Sequence, residues 1–86
     1  MVETTVLVRY FAGARAAAGV PEEKVALPDG ATVQEALRVV VELHGAPLSR
    51  VLDASSFLVD GIAVRDRSAP LSGGSTLDVL PPFAGG

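Results

Sequence analysis

Thr32-Val33-Gln34-Glu35-Ala36-Leu37-Arg38-Val39-Val40-Val41-Glu42-Leu43-His44-Gly45 carries the clearest local signal in the chain. Thr32 followed three residues later by Glu35 is a capping box, in which the hydroxyl caps a helix start and the carboxylate reaches back. Val33, Ala36, Leu37, Val40 and Val41 then recur at helical spacing, while Glu35, Arg38 and Glu42 lie more to the outside. His44 and Gly45 fit the last turn and the C-cap, and Pro47 forbids continuation. The spacing predicts one main amphipathic helix.

Upstream, Thr4 to Phe11 alternates as a strand, with Val6, Val8 and Tyr10 on one face and Leu7, Arg9 and Phe11 on the other. Ala12 to Ala18 is nearly all alanine around Arg15, which favours helix, and Gly19 and Pro21 stop it. Glu23 to Leu27 reads as a short second strand closed by the turn Pro28-Asp29-Gly30. Downstream, Leu48 to Leu52 is expected to form a short helical turn. Phe57 to Asp60 and Ile62 to Val64 flank Asp60-Gly61, a strong hairpin signal. Pro70 to Ser75 is a loop, and Thr76 to Leu80 a final strand with Leu77 and Val79 inward and Thr76, Asp78 and Leu80 outward. This order implies an α+β fold, a mixed sheet with one main helix packed across a face. A β-grasp arrangement satisfies it, and periodicity alone leaves a ferredoxin-like sandwich open. Residues 1–80 are expected to form the domain and residues 81–86 a flexible tail.

Composition narrows the function. At 86 residues one compact domain is the ceiling, and a hydrophobic fraction of 49% suffices for a thin core. The chain has no cysteine and one histidine, so no metal or iron–sulfur site is expected. Seven basic residues lie scattered among ten acidic ones for a net charge of −3, which argues against nucleic acid as a partner. No signal peptide pattern and no apolar run of about 20 residues appears, so no membrane association is expected and the location is expected to be cytoplasmic.

The last residues, Leu80-Pro81-Pro82-Phe83-Ala84-Gly85-Gly86, follow directly on the final strand. Pro81-Pro82 cannot extend a sheet and stiffens the exit. Six residues from Pro81 would reach about 20 Å when extended, at roughly 3.3–3.6 Å each, enough to enter another protein's active site. Two glycines carry no side chain, pass a narrow channel and leave the carboxyl open to attack. That carboxylate, with an ordinary pKa near 3.5, is a poor electrophile at neutral pH. It needs activation, for which adenylation by ATP is the usual solution, and a sulfur nucleophile then displaces AMP to leave a thiocarboxylate. With no thiol in the chain, sulfur carried on it has to be attached in some such way.

At these residues the chain resembles the MoaD/ThiS group of ubiquitin-like sulfur carriers, over nearly its whole length. Val6 to Arg15 is similar to the family's first strand and its Phe-Ala-x-x-Arg continuation, and Thr32 to Leu37 to its helix start. Val59-Asp60-Gly61 resembles a Val-Asn-Gly turn, with Asp60 in place of the usual Asn. Leu71 to Leu77 resembles the approach to the last strand, with Ser75 where an acidic residue is common. The tail Pro-Pro-x-x-Gly-Gly is similar to the molybdopterin type within the group. The resemblance implies a β-grasp fold and adenylation and thiocarboxylation at Gly86. It implies as partners an E1-like adenylating enzyme that uses ATP, a sulfur donor enzyme and the large subunit of molybdopterin synthase, where sulfur would pass to a pterin precursor. The chain itself would be a non-catalytic co-substrate with no bound cofactor. Carriers for cysteine, thiamin or specialised-metabolite synthesis share the Gly-Gly end and stay open, as do a ubiquitin-like modifier and a plain interaction module.

The expected partner-binding residues are Phe11, Leu80, Pro81, Pro82, Phe83, Ala84 and Gly85, with Phe11, Leu80 and Phe83 forming an exposed apolar patch. Other candidates read as structural. Ser72-Gly73-Gly74-Ser75 lacks the Lys-Ser/Thr of a phosphate loop. His44 is expected as a cation at a helix end, Arg65-Asp66-Arg67 as a solvated loop, and Ser55-Ser56 has no histidine close in sequence. Lys24, the sole lysine, is expected at the edge of its short strand and to be dispensable.

Overall fold

A computed structural model describes residues 3–82. In chain order these form β1 (Glu3–Tyr10), α1 (Gly13–Ala18), β2 (Glu22–Pro28), α2 (Val33–His44), α3 (Ala46–Asp53), β3 (Ser56–Val59), β4 (Ile62–Ala63) and β5 (Thr76–Leu80). The five strands make one mixed sheet in the order β2-β1-β5-β3-β4. The first and last strands lie side by side and parallel at its centre, and the other pairs are antiparallel.

The main helix α2 begins as its sequence requires. Glu35 N–H donates to Thr32 Oγ1 and Thr32 N–H to Glu35 Oε1, each at 3.2 Å, completing the capping box. The two amides ahead of Glu35 are met by a later loop: Val33 N–H donates to Ala69 O and Gln34 N–H to Arg67 O. The helix start is thus fully paired. Gly45 ends α2 with φ 88°, its N–H donating to Val41 O. Pro47 both blocks continuation of α2 and occupies the first turn of α3, where its missing N–H is harmless. The expected single turn at Leu48 to Leu52 is therefore a helix of eight residues, because Leu48 and Leu52, four apart, both bury.

The core lies between the sheet's inner face and the helices. Cross-strand register puts Val6 beside Val25 and Val8 beside Leu77, then Tyr10 beside Val79, which in turn faces Phe57. Val33, Ala36, Leu37 and Val40 of α2, with Leu48 of α3, close over them. Each large apolar side chain fully buried in this way contributes roughly 1.5–3 kcal/mol.

Turns hold the sheet in register. Asp60 and Gly61 take φ of 49° and 83°, as a two-residue hairpin turn with both central residues at positive φ demands. Asp60, which stands in place of the Asn usual in the resembling family, accepts from Thr76 N–H through its carboxylate at 2.9 Å, tying the hairpin to β5. At the 72–75 loop, Gly74 N–H donates to Thr5 O, and a Cβ on Gly73 would collide with Thr4 Oγ1. That loop is a strand connection pressed against β1, with a backbone amide already engaged.

Candidate functional site

The end of β5 is where the candidate site lies. Phe11 N–H donates to Val79 O at 3.1 Å, one step beyond the Tyr10/Val79 pair, so Phe11 stands beside Leu80 on the outward side of the sheet. Phe11 is 37% exposed and Leu80 half-buried. Pro81 and Pro82, both exposed, follow. The structure thus places Phe11 and Leu80 each one residue past the last β1/β5 pair, at the chain's exit from the sheet. Phe83, Ala84, Gly85 and Gly86 lie outside the described residues, so their place in the expected patch and tail is not part of this geometry.

The local backbone explains the position of Phe11. Residues 11–14 form a turn closed by Ala14 N–H donating to Phe11 O at 3.1 Å. Its first central residue, Ala12, has φ 51° and ψ −124°, the setting of a type II′ turn where glycine is the usual occupant. The turn swings the chain abruptly from β1 into α1 and leaves Phe11 on the outward side.

The same face holds a feature that one-strand periodicity does not reveal. Arg9 and Asp78 are directly opposed on the parallel pair β1/β5. Arg9 Nε donates to Asp78 Oδ1 at 2.7 Å and Nη2 to Oδ2 at 3.0 Å. The hydrogen bond, and then the charge of Asp78, raise the Arg9 guanidinium above its ordinary pKa. Asp78 was expected to face outward and does, yet it is only 6% exposed because Arg9 and its neighbours cover it. The guanidinium also lies 5.6 Å from the centre of the Phe11 ring. Both residues stood at outward positions in the sequence; the missing information was which strands pair.

On the inner face a second polar cluster gathers around His44, in the last turn of α2. Its Nε2 meets Glu23 Oε2 at 2.5 Å, and the Tyr10 hydroxyl donates to the same oxygen at 2.6 Å. Burial, then the bond to Glu23, push the Tyr10 phenol well above its ordinary value. Arg67, exposed in its loop as expected, lies 4.8 Å over the Phe57 ring. Ser55 Oγ donates to Val51 O and closes the end of α3. Lys24 is exposed on β2, which is an edge strand. Among the described residues no cluster of metal-ligating side chains occurs, and no helix is long and apolar enough to cross a membrane.

A parallel pairing of first and last strands, a helix across one face and a last strand leading straight to the C-terminal segment define a ubiquitin-like β-grasp protein. Residues 8–86 match the model of the ThiS family, and the chain belongs to that family. It is 36% identical over 81 residues to the molybdopterin synthase sulfur carrier subunit of Chlamydomonas reinhardtii, spanning 92% of this chain and 95% of that protein. Among solved structures it is similar to a putative molybdopterin converting factor, subunit 1, from Pyrococcus furiosus, with TM-score 0.79, 28% identity and coverage of 93% and 99%. It is similar too to the small archaeal modifier protein 1 of Haloferax volcanii, with TM-score 0.83, 28% identity and coverage of 93% and 99%.

Proposed function

We propose that this chain is the sulfur carrier of a molybdopterin synthase, turned over at its own C-terminal carboxyl. An E1-like enzyme joins the Gly86 carboxylate to AMP from ATP, releasing pyrophosphate. Hydrosulfide supplied by a donor enzyme then attacks the acyl carbon, the acyl C–O bond to AMP breaks, AMP leaves, and Gly86 becomes a thiocarboxylate. In the large synthase subunit the thiocarboxylate sulfur bonds to a pterin precursor, water attacks the acyl carbon, the C–S bond to Gly86 breaks, and the Gly86 carboxylate is regenerated for another cycle.

One observation carries this reading. The chain leaves β5 through Pro81 and Pro82 beside the exposed Phe11, and Gly85-Gly86 follow in sequence. A stiff exit next to an apolar face suits a protein that docks by its sheet and inserts its end. The full-length likeness to a sulfur carrier subunit supports the molybdopterin pathway over other acceptors.

Intact mass of the protein purified from its native host tests the proposal. The expected result is a mass gain matching sulfur for oxygen, lost on incubation with the large subunit and precursor. High-mass adducts on lysines, with no sulfur gain, would establish a modifier instead.

A further inference from the structure

The face beside the tail exit is apolar around Phe11, Leu58 and Leu80, charged at the Arg9–Asp78 pair, and bordered on β2 by the exposed Glu22 and Lys24. Leu7, Leu58 and Leu80 are half-buried there and Phe11 is exposed. Register places Asp78 in the middle, between Arg9 on one side and Leu58 on the other. Arg9 spends one edge of its guanidinium on the two Asp78 oxygens. Three of its five N–H groups remain. Among the described residues it makes no other side-chain hydrogen bond, and its side chain is 43% exposed against 9% for Asp78. The unspent edge is therefore the polar surface an incoming protein meets.

Two facts decide what can cover it. Unpaired N–H groups buried under an apolar surface lose their water without replacement, which is costly. A wholly apolar partner is thus turned away. The cation is also already matched: Asp78 holds it from one side, and Glu22, directly opposite Arg9 on β2, raises it further by its charge. Another carboxylate over Arg9 would be the third anion around that guanidinium, and Lys24, the other cation of this face, stands opposite Leu7 and not Arg9. An uncharged acceptor satisfies the N–H groups without adding charge.

Resting on the carrier reading above, we propose that the Arg9–Asp78 pair determines partner specificity at this face. It selects, on the E1-like adenylating enzyme, a surface that is apolar over Phe11 and Leu80 and presents uncharged acceptors, backbone carbonyls or amide oxygens, over the free edge of Arg9. The pair acts by positioning and selection; it takes no part in chemistry at Gly86.

The test uses the full chain with its purified E1-like adenylating enzyme and ATP, following pyrophosphate release against carrier concentration and intact mass. Arg9→Met with Asp78→Val removes both charges together, so no orphaned buried carboxylate is left. The double variant is expected to raise KM for the carrier about tenfold or more, as loss of a paired donor implies, with kcat unchanged because the tail is intact. Wild-type KM is expected to change little with salt. If the double variant fails to fold, Arg9→Lys replaces it, since it keeps the charge but loses the planar fork, and the same rise in KM is expected. An unchanged KM in whichever variant folds overturns the proposal. So does a steep salt dependence of wild-type KM that the variant abolishes, which would establish a carboxylate over Arg9. If the wild-type chain supports no pyrophosphate release and gains no sulfur, the carrier reading falls and this inference with it; normal loading with unchanged KM removes the inference alone.

Discussion

Tyr10 Oη donates to Glu23 Oε2 at 2.6 Å, and His44 Nε2 meets that same oxygen. One carboxylate oxygen thereby joins the end of β1, the edge strand β2 and the last turn of α2. Glu23 faces the inner side because it is opposite Val8 in register, so an edge strand that would otherwise present only apolar atoms inward is held by a polar clasp. Tyr10→Phe keeps the ring in the core and removes only the donor. It is expected to cost about 1 kcal/mol, or roughly 4–8 °C in thermal midpoint for a domain of this size. A melting temperature equal to wild type would show that the clasp adds nothing to stability.

The same phenol sets an alkaline limit. Its pKa is raised above the ordinary 10.0, first by burial and then by the Glu23 bond, so the folded state favours the neutral form. Stability from this group is complete below pH 10. As pH rises further the unfolded chain releases the tyrosine proton while the folded chain keeps it, and stability falls. Denaturant midpoints measured on either side of pH 10 are expected to drop more steeply in wild type than in Tyr10→Phe. Parallel curves would contradict the assignment.

Ala12 occupies φ 51° and ψ −124°, a backbone setting that glycine adopts freely and alanine does not. Strain at such a residue is of order 1–3 kcal/mol, while the added freedom of a glycine in the unfolded chain takes back roughly 0.4–1 kcal/mol. Ala12→Gly is therefore expected to raise stability by about 1 kcal/mol, read as a higher urea midpoint with unchanged slope. A lower midpoint would mean that the Ala12 methyl group contributes more by contact than its backbone loses by strain.

Leu80 is half-buried on the outward face, while Val79 beside it is fully buried. A charge at position 80 should therefore disturb docking more than folding. Leu80→Asp is expected to weaken binding to the large synthase subunit by about 30-fold or more, since a buried anchor contributes roughly 2 kcal/mol. Thermal melting should move little. Calorimetric titration with an unchanged affinity would remove Leu80 from the interface, and a collapse in melting temperature would assign it to the core.

Deleting Gly86, or adding one residue after it, is expected to abolish sulfur loading with the fold intact. On the proposed carrier reading the reacting carboxyl has to reach a fixed depth in the activating enzyme, and displacement by about an ångström can cost on the order of 100-fold in rate. Normal thiocarboxylate formation by the shortened chain would defeat this expectation.

Some features were written into short stretches of chain. The capping box at Thr32 and Glu35 and the apolar stripe of α2 are local, so spacing alone located the helix to within a residue. The alternation of β1 assigned Val6, Val8 and Tyr10 to the core and Arg9 and Phe11 to the other face, as observed. Helix α3 was underestimated because Pro47 reads as a stop for one helix and only in context as the start of the next. Phe11 and Leu80 were legible as outward apolar residues, since strand period and proline chemistry operate within a few residues.

By itself, then, the sequence determined the elements and the inner and outer faces of the long strands. All of these follow from interactions between near neighbours along the chain. Only the tertiary structure decided that β1 and β5 lie parallel at the centre of the sheet, which separates a β-grasp from a ferredoxin-like arrangement. That pairing brings Arg9 to Asp78 across 69 residues of chain, and the packing of α2 over β2 brings His44 to Glu23 across 21. Each residue's own spacing permits many partners. Which partner it meets is set by the one packing in which all the apolar faces are buried together.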